Sequence, residues 1–205
     1  MKSLFLALLL LPIAALAGLD DDVRALQSEW AQIKYQRPAA EQEKAFAVLA
    51  KSADAVRAKY AGRAEPQIWY GIIVASYAGA RGGLGALSLV KDAKKAFEQA
   101  LEIDAAALDG SAYTSLGSLY YQVPGWPIGF GSDDKARELL QKALALNPDG
   151  VDPNYFLGDF LYRKGEYAGA REALQKALKA PPRPDRALAD QGRRKEIESL
   201  LAAMR

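Results

Sequence analysis

The sequence predicts an all-α protein of stacked helical hairpins, about nine helices, with capping helices at its N- and C-terminal ends. Three observations carry this prediction. Apolar residues recur at three and four along most of the 205-residue chain, one hairpin pattern appears three times, and prolines stand just past two of the second helices.

The clearest copy lies near the C-terminus. Leu157 and Leu161 sit one turn apart on a first helix, and Gly158 lets a neighbouring helix approach closely. Gly165 and Tyr167 mark the turn into a second helix, on which Ala170, Leu174 and Ala177 share a face, followed by Pro182. Leu116-Gly117, Tyr120, Ala136, Leu140, Ala143 and Pro148 repeat the pattern, and Trp69, Ile72, Ala93, Phe97 and Ala100 repeat it again. Three copies are enough to bury a continuous core. The pattern resembles the tetratricopeptide (TPR) repeat, with repeats near 65–105, 109–148 and 152–182 inside one domain over 18–205. The resemblance implies a solenoid that binds other molecules on its concave face.

The remaining elements follow in order. Met1 to Ala17 reads as a secretory signal peptide: one lysine, an apolar run from Leu4 to Leu11, and Ala15-Leu16-Ala17 as the cleavage site. Leu16-Ala17-Gly18-Leu19 resembles a lipoprotein signal in which Leu19 replaces the cysteine. No lipid can then attach, and the cleaved chain is expected in the periplasm or outside the cell, without stable membrane insertion. Val23, Leu26, Trp30 and Ile33 place a helix over Leu19 to about Gln36, with Asp20 to Asp22 at its positive end. Beyond Pro38, the positions Phe46, Leu49, Ala53 and Val56 give a second helix ending near Gly62, so this pair reads as a degenerate repeat or cap. The run Ala180 to Pro184 cannot be helical. Past it, Ile197, Leu200 and Leu201 define a capping helix near 187–204, where Arg193, Arg194 and Lys195 are expected as a solvated face.

Charge and composition narrow the function. With Lys2 lost in the leader, 26 of the 27 basic residues remain against 25 acidic ones, a net of +1, so neither nucleic acid nor an anionic membrane is implied as partner. Cysteine and histidine are absent, which removes disulfides, the thiolate nucleophile, the commonest general base and the usual transition-metal ligands. Asp133-Asp134 behind Ser132 are explained by helix capping, and Asp149 and Asp152 beside Gly150 and Pro153 match no calcium loop. No catalytic constellation, metal site or cofactor site is read, and the protein is expected not to be an enzyme.

The repeats differ from one another in one respect. Leu157 to Ala170 spans 13 residues, but Leu116 to Ala136 spans 20 and Ile72 to Ala93 spans 21, which places extra chain at the same turn of two hairpins. The inserted segments, Gly79–Ala86 and Val123–Gly131, should leave one edge of the stack, touch each other and shield part of the groove edge. Gly82-Gly83-Leu84-Gly85 is no phosphate loop, since it follows a helix and lacks the Lys-Ser/Thr pair. Trp126, Ile128 and Phe130 either fold back onto the helices or await a ligand. Arg81, Trp126 and Phe130 are accordingly candidate partner-binding residues.

Tyrosine supplies the other candidates. Tyr77, Tyr121 and Tyr162 each stand five residues after Ile72, Leu116 or Leu157, while Tyr70 and Tyr155 precede Tyr77 and Tyr162 by seven. In the tetratricopeptide pattern such places line the groove, and the competing reading has them packed between successive helices. The segments VPGWPIGFG and ALALNPDGVDPNYFLG, within residues 65–205, also resemble the periplasmic TPR-type family associated with TRAP transporters. That resemblance implies carriage of a small organic ligand or docking to a solute-binding protein. Three functions stay open: a scaffold for a protein or peptide, a TRAP-associated carrier, and a structural envelope factor.

Overall fold

The computed structural model describes residues 13–204, with side chains described from Gly18 onward. Most of the expected signal peptide therefore lies outside the described residues. Among the described residues there are nine helices: α1 (Ile13–Gln36), α2 (Ala39–Lys59), α3 (Ala64–Arg81), α4 (Ala86–Ile103), α5 (Ala107–Gln122), α6 (Asp133–Leu146), α7 (Val151–Arg163), α8 (Tyr167–Leu178) and α9 (Ala187–Ala203). They form four antiparallel hairpins in a TPR-like solenoid, followed by a ninth helix. The expected cleavage site falls inside α1, which is continuous through it.

Glycine sets the packing of three hairpins. A Cβ on Gly71 would lie 2.5 Å from the Phe97 ring, one on Gly117 3.0 Å from Leu140, and one on Gly158 2.6 Å from Leu174. Each first helix thus presses its backbone onto the central large residue of its partner, which is fully buried in all three pairs. The flanking alanines, Ala93 and Ala100, Ala136 and Ala143, Ala170 and Ala177, are buried too and keep the helices close.

This contact corrects the register of the first repeat. Gly71 is the structural counterpart of Gly117 and Gly158, so Tyr70, and not Ile72, stands where Leu116 and Leu157 stand. Counted from the glycine, the step to the first alanine is 22, 19 and 12 residues in the three hairpins. Much of the extra chain is helix. α3 and α4 have 18 residues each, against 13 and 12 in α7 and α8. Gly79, Ala80 and Arg81, expected in the first loop, are the last turn of α3, and only Gly82–Gly85 is left to turn the chain, with Gly82 and Gly83 at φ +65° and +60°.

Local signals account for several ends. The Ser132 side chain accepts a hydrogen bond from the Lys135 amide and caps α6, with Asp133 and Asp134 in the first turn. Asp20 to Asp22 lie inside α1 instead of at its start; Asp22 accepts from Lys59 Nζ at 2.8 Å and from the Tyr60 hydroxyl at 2.9 Å, tying α1 to the end of α2. Leu108, Asp109 and Gly110 have left-handed backbone, so the regular part of α5 begins after Gly110.

The ninth helix departs furthest from expectation. It reaches beyond the last hairpin, touching α1 as well as α7 and α8. Ala189 is buried with Trp30 and Trp69 in the first core cluster, while Ile197 is buried with Leu174 and Ala177 in the last. α9 therefore links the first helices α1 and α7, at the two ends of the stack, with α8.

Candidate functional site

Two surfaces could bind a partner: the face that α9 crosses, and the edge that carries the inserted turns. On the first, α7 offers Asp152, Tyr155, Asp159 and Arg163 at helical spacing along one side. Opposite stand Tyr35 of α1 and Gly192, Arg193 and Glu196 of α9. Arg193 Nε donates to Asp152 Oδ1 at 2.9 Å, Arg193 Nη1 to Glu196 at 2.6 Å, and Arg183 Nη1 to Asp152 Oδ2 at 2.6 Å. The Arg193 guanidinium also lies 4.1 Å from the Tyr155 ring centroid and 4.8 Å from that of Phe156.

Arg193 is 8% exposed, so it is not part of a solvated face. Its neighbours explain the difference. Ala189 and Ile197 lie four residues before and after it, which puts its side chain on the buried stripe, and Asp152 supplies the counter-charge that burial demands. Arg194 instead donates to the carbonyls of Leu178 and Ala180, closing the end of α8. Lys195 is exposed.

Burial and charge shift several groups here. Burial works against ionisation of Asp152, but Arg193 and Arg183 outweigh it and hold the carboxyl at about 2. Burial opposes the charge of Arg193 as well, and Asp152 reverses that effect. Burial pushes the Tyr155 hydroxyl up to about 12. Arg186, at the start of α9, is lowered by burial and by the charge of Arg183, and its guanidinium lies 4.9 Å from the Trp69 ring centroid. A concavity of about 720 Å³ opens beside this cluster, walled by Tyr35, Tyr155, Asp159, Arg163, Lys195 and Leu200 among others.

The five tyrosines do not form one row. Tyr70 and Tyr77 on α3 pack against the α1–α2 cluster, Tyr70 under Arg57 at 3.9 Å. Tyr121 donates to Asp159 Oδ2 at 2.7 Å and is fixed between α5 and α7 by a carboxylate that Arg163 also holds at 3.1 Å. Burial first, and Asp159 second, push its hydroxyl well above the ordinary tyrosine value. Tyr162 packs in the α6–α7 cluster and against Tyr167 at 5.8 Å. Of the five, Tyr155 lines the concavity. The register of α3 is part of the reason, since counting from Gly71 the counterpart of Tyr121 and Tyr162 is Ala75, not Tyr77.

The second surface is the turn edge. Hairpin topology puts Gly82–Gly85, Val123–Ser132 and the turn before Tyr167 at the same end of the stack. Leu84 is 82% exposed, Trp126 89%, Ile128 58% and Tyr167 54%. The second loop divides its apolar residues. Phe130 folds inward onto Tyr120, ring centroids 5.4 Å apart, with Lys94 Nζ 5.7 Å from its centroid, while Trp126 and Ile128 are exposed. Backbone bonds brace the loop: Gly131 donates to the Pro124 carbonyl at 3.0 Å, Ser132 to that of Tyr120 at 2.8 Å and Gly129 to that of Gly125 at 3.1 Å. Arg81 is exposed and donates to the Tyr77 hydroxyl at 3.3 Å.

Sequence reasoning missed Tyr35, Trp69, Asp152, Asp159 and Arg183. For Asp152 and Asp159 the signal was present, since they stand seven apart on the side of α7 that carries Tyr155. Among the described residues no group of three or more acidic side chains could hold a metal ion.

Comparison with known proteins agrees with the repeat pattern. Residues 131–203 match the tetratricopeptide repeat family. This stretch takes in α6 to α9 and includes the last complete hairpin. The crystal structure of MamA is similar, at 21% identity and a TM-score of 0.46, over 80% of this chain and 89% of that one. Among curated proteins none matches.

Proposed function

We propose that this chain is a non-enzymatic docking module, exported to the periplasm, which holds a protein or peptide partner at the turn edge of its solenoid. The observation that carries the reading is the split within one loop, where Phe130 anchors inward and Trp126 is held out at 89% exposure. A buried aromatic anchor is what most often dominates a protein interface, and a loop already braced loses little entropy on binding. The first-helix face supports this choice of edge, because α9 already covers part of it. Export rests on the leader Met1–Ala17.

A second reading, carriage of a small organic ligand in association with a TRAP transporter, draws support from the concavity of about 720 Å³ between α1, α7 and α9. That volume suits a small-molecule site. Affinity capture from native envelope with tagged wild type and with Trp126→Ala tests the docking reading. The variant should lose the wild-type partner while melting at the same temperature; retention of an identical set of partners would overturn it. Intact mass of the envelope protein tests export, which requires a chain beginning at Gly18.

A further inference from the structure

We infer that the face beneath α9 is a second docking surface, shaped for an arginine-bearing amphipathic helix, and that α9 is its resident and displaceable occupant. This surface is separate from the turn edge and stands without it. Its chemistry is read from the way α9 is seated. Gly192 brings the helix backbone against the Tyr35 ring, and Arg193 beside it passes the rings of Tyr155 and Phe156 to reach Asp152. Ala189 and Ile197, one turn to either side, fill apolar positions. An occupant therefore needs a small residue followed by arginine, flanked at four residues by apolar side chains.

The way α9 is held separates it from the other second-layer helices. α4, α6 and α8 bury only alanine, leucine and phenylalanine, four residues each. α9 buries Ala189, Asp190, Gly192, Arg193 and Ile197, so a charge pair, Arg193 with Asp152, joins its apolar contacts in holding it to the solenoid. Such pairs can be exchanged for an equivalent arginine of another chain at little net cost. The seat is also imperfect at its start. Trp69 Nε1 on α3 and Arg186 Nε at the head of α9 are buried without a hydrogen-bond partner in the protein, and Asp185, the residue before Arg186, has left-handed backbone at φ +59°. The connection from α8 through Pro181, Pro182 and Pro184 is stiff, and Arg183 within it is bonded to Asp190 of α9 and to Asp152, so the connection and α9 would leave the seat as one unit tethered at α8.

The test uses a fluorescent synthetic peptide of residues 183–204 and the full chain. Arg193→Gln weakens the resident helix and should raise affinity for the peptide at least tenfold over wild type. Adding Asp152→Asn to that chain should abolish the gain, as should Arg193→Gln in the peptide. The Trp126→Ala chain should behave as wild type, so failure of the docking-edge reading leaves this result unaffected. An Arg193→Gln chain that keeps its helical signal and binds no better than wild type would overturn the inference. If that variant does not fold, hydrogen exchange of the unaltered chain decides: α9 amides should exchange at least tenfold faster than those of α3, α5 and α7, and equal protection would overturn it.

Discussion

Arg193 and Asp152 meet at 2.9 Å across 41 residues of chain, and through them the last helix is fastened to the first turn of α7. Asp152 also receives Arg183 at 2.6 Å from the segment that precedes α9. A single carboxylate thus gathers the start of the closing segment and the middle of α9. The two tyrosines Tyr35 and Tyr155 line the concavity that opens beside this pair.

That carboxylate makes the closure sensitive to acid. Asp152 is held at about 2 in the fold against 3.8 when free, so its stabilisation is complete above the unfolded value and is lost as pH falls toward and through about 2. Arg183, Arg186, Arg193, Glu196, Tyr35 and Tyr155 surround it, and the three arginines stay charged throughout. Melting temperature should fall between about pH 4 and pH 2 in the wild type, and less steeply in Asp152→Asn, which should already melt lower at neutral pH. Parallel pH profiles would assign the acid loss to other carboxylates.

The helical glycines should respond in opposite directions to the same change. Alanine normally stabilises a helix over glycine by about 1 kcal/mol. At Gly79, on an exposed turn of α3 with no atom within 4 Å of a new Cβ, Gly79→Ala should show that gain. At Gly71 and Gly158, where the Cβ would meet Phe97 at 2.5 Å and Leu174 at 2.6 Å, overpacking should reverse it and cost about 1–3 kcal/mol. Denaturant melts of the three variants give the comparison directly.

Removing one oxygen separates a hydroxyl bonded to a buried carboxylate from one bonded to an exposed guanidinium. Tyr121→Phe deletes the 2.7 Å bond to Asp159, a carboxylate only 6% exposed, and should cost about 1–3 kcal/mol. Tyr77→Phe deletes a 3.3 Å bond to exposed Arg81 and should change stability by less than about 0.5 kcal/mol. Equal effects would mean that Tyr121 is not fixed by the α5–α7 contact.

The sequence made the hairpins legible because each depends on local spacing. Ala136, Leu140 and Ala143 announce a face whatever lies opposite, and Ser132 announces a cap. The register of α3 was harder to read. Ile72 and Trp69 imitate the Leu-Gly signature, and only the approach of Phe97 to Gly71 shows which residue is the hinge of the packing. The path of α9 was out of reach altogether. Its pairing of Arg193 with Asp152 depends on how far the solenoid has turned after four hairpins, a sum of small rotations that no single segment encodes. The tyrosines left two readings open for the same reason, because a face shared within one helix need not be shared between helices.

The loop between α5 and α6 should separate anchoring from display most sharply. Trp126 is 89% exposed, so Trp126→Ala should leave the melting temperature within error of wild type. Phe130 packs edge-on to Tyr120 at 5.4 Å and beneath Lys94, so Phe130→Ala should cost about 1–3 kcal/mol, less than a fully buried phenylalanine because the site is only partly closed. Gly131→Ala should destabilise as well, since its Cβ would collide with the carbonyl oxygen of Val123 and force open the loop at its base. Measured together, these three changes identify what the loop is for. If Trp126→Ala alone lowers the melting temperature, the indole is a staple of the fold; if it leaves stability untouched and abolishes partner capture, it is displayed for binding.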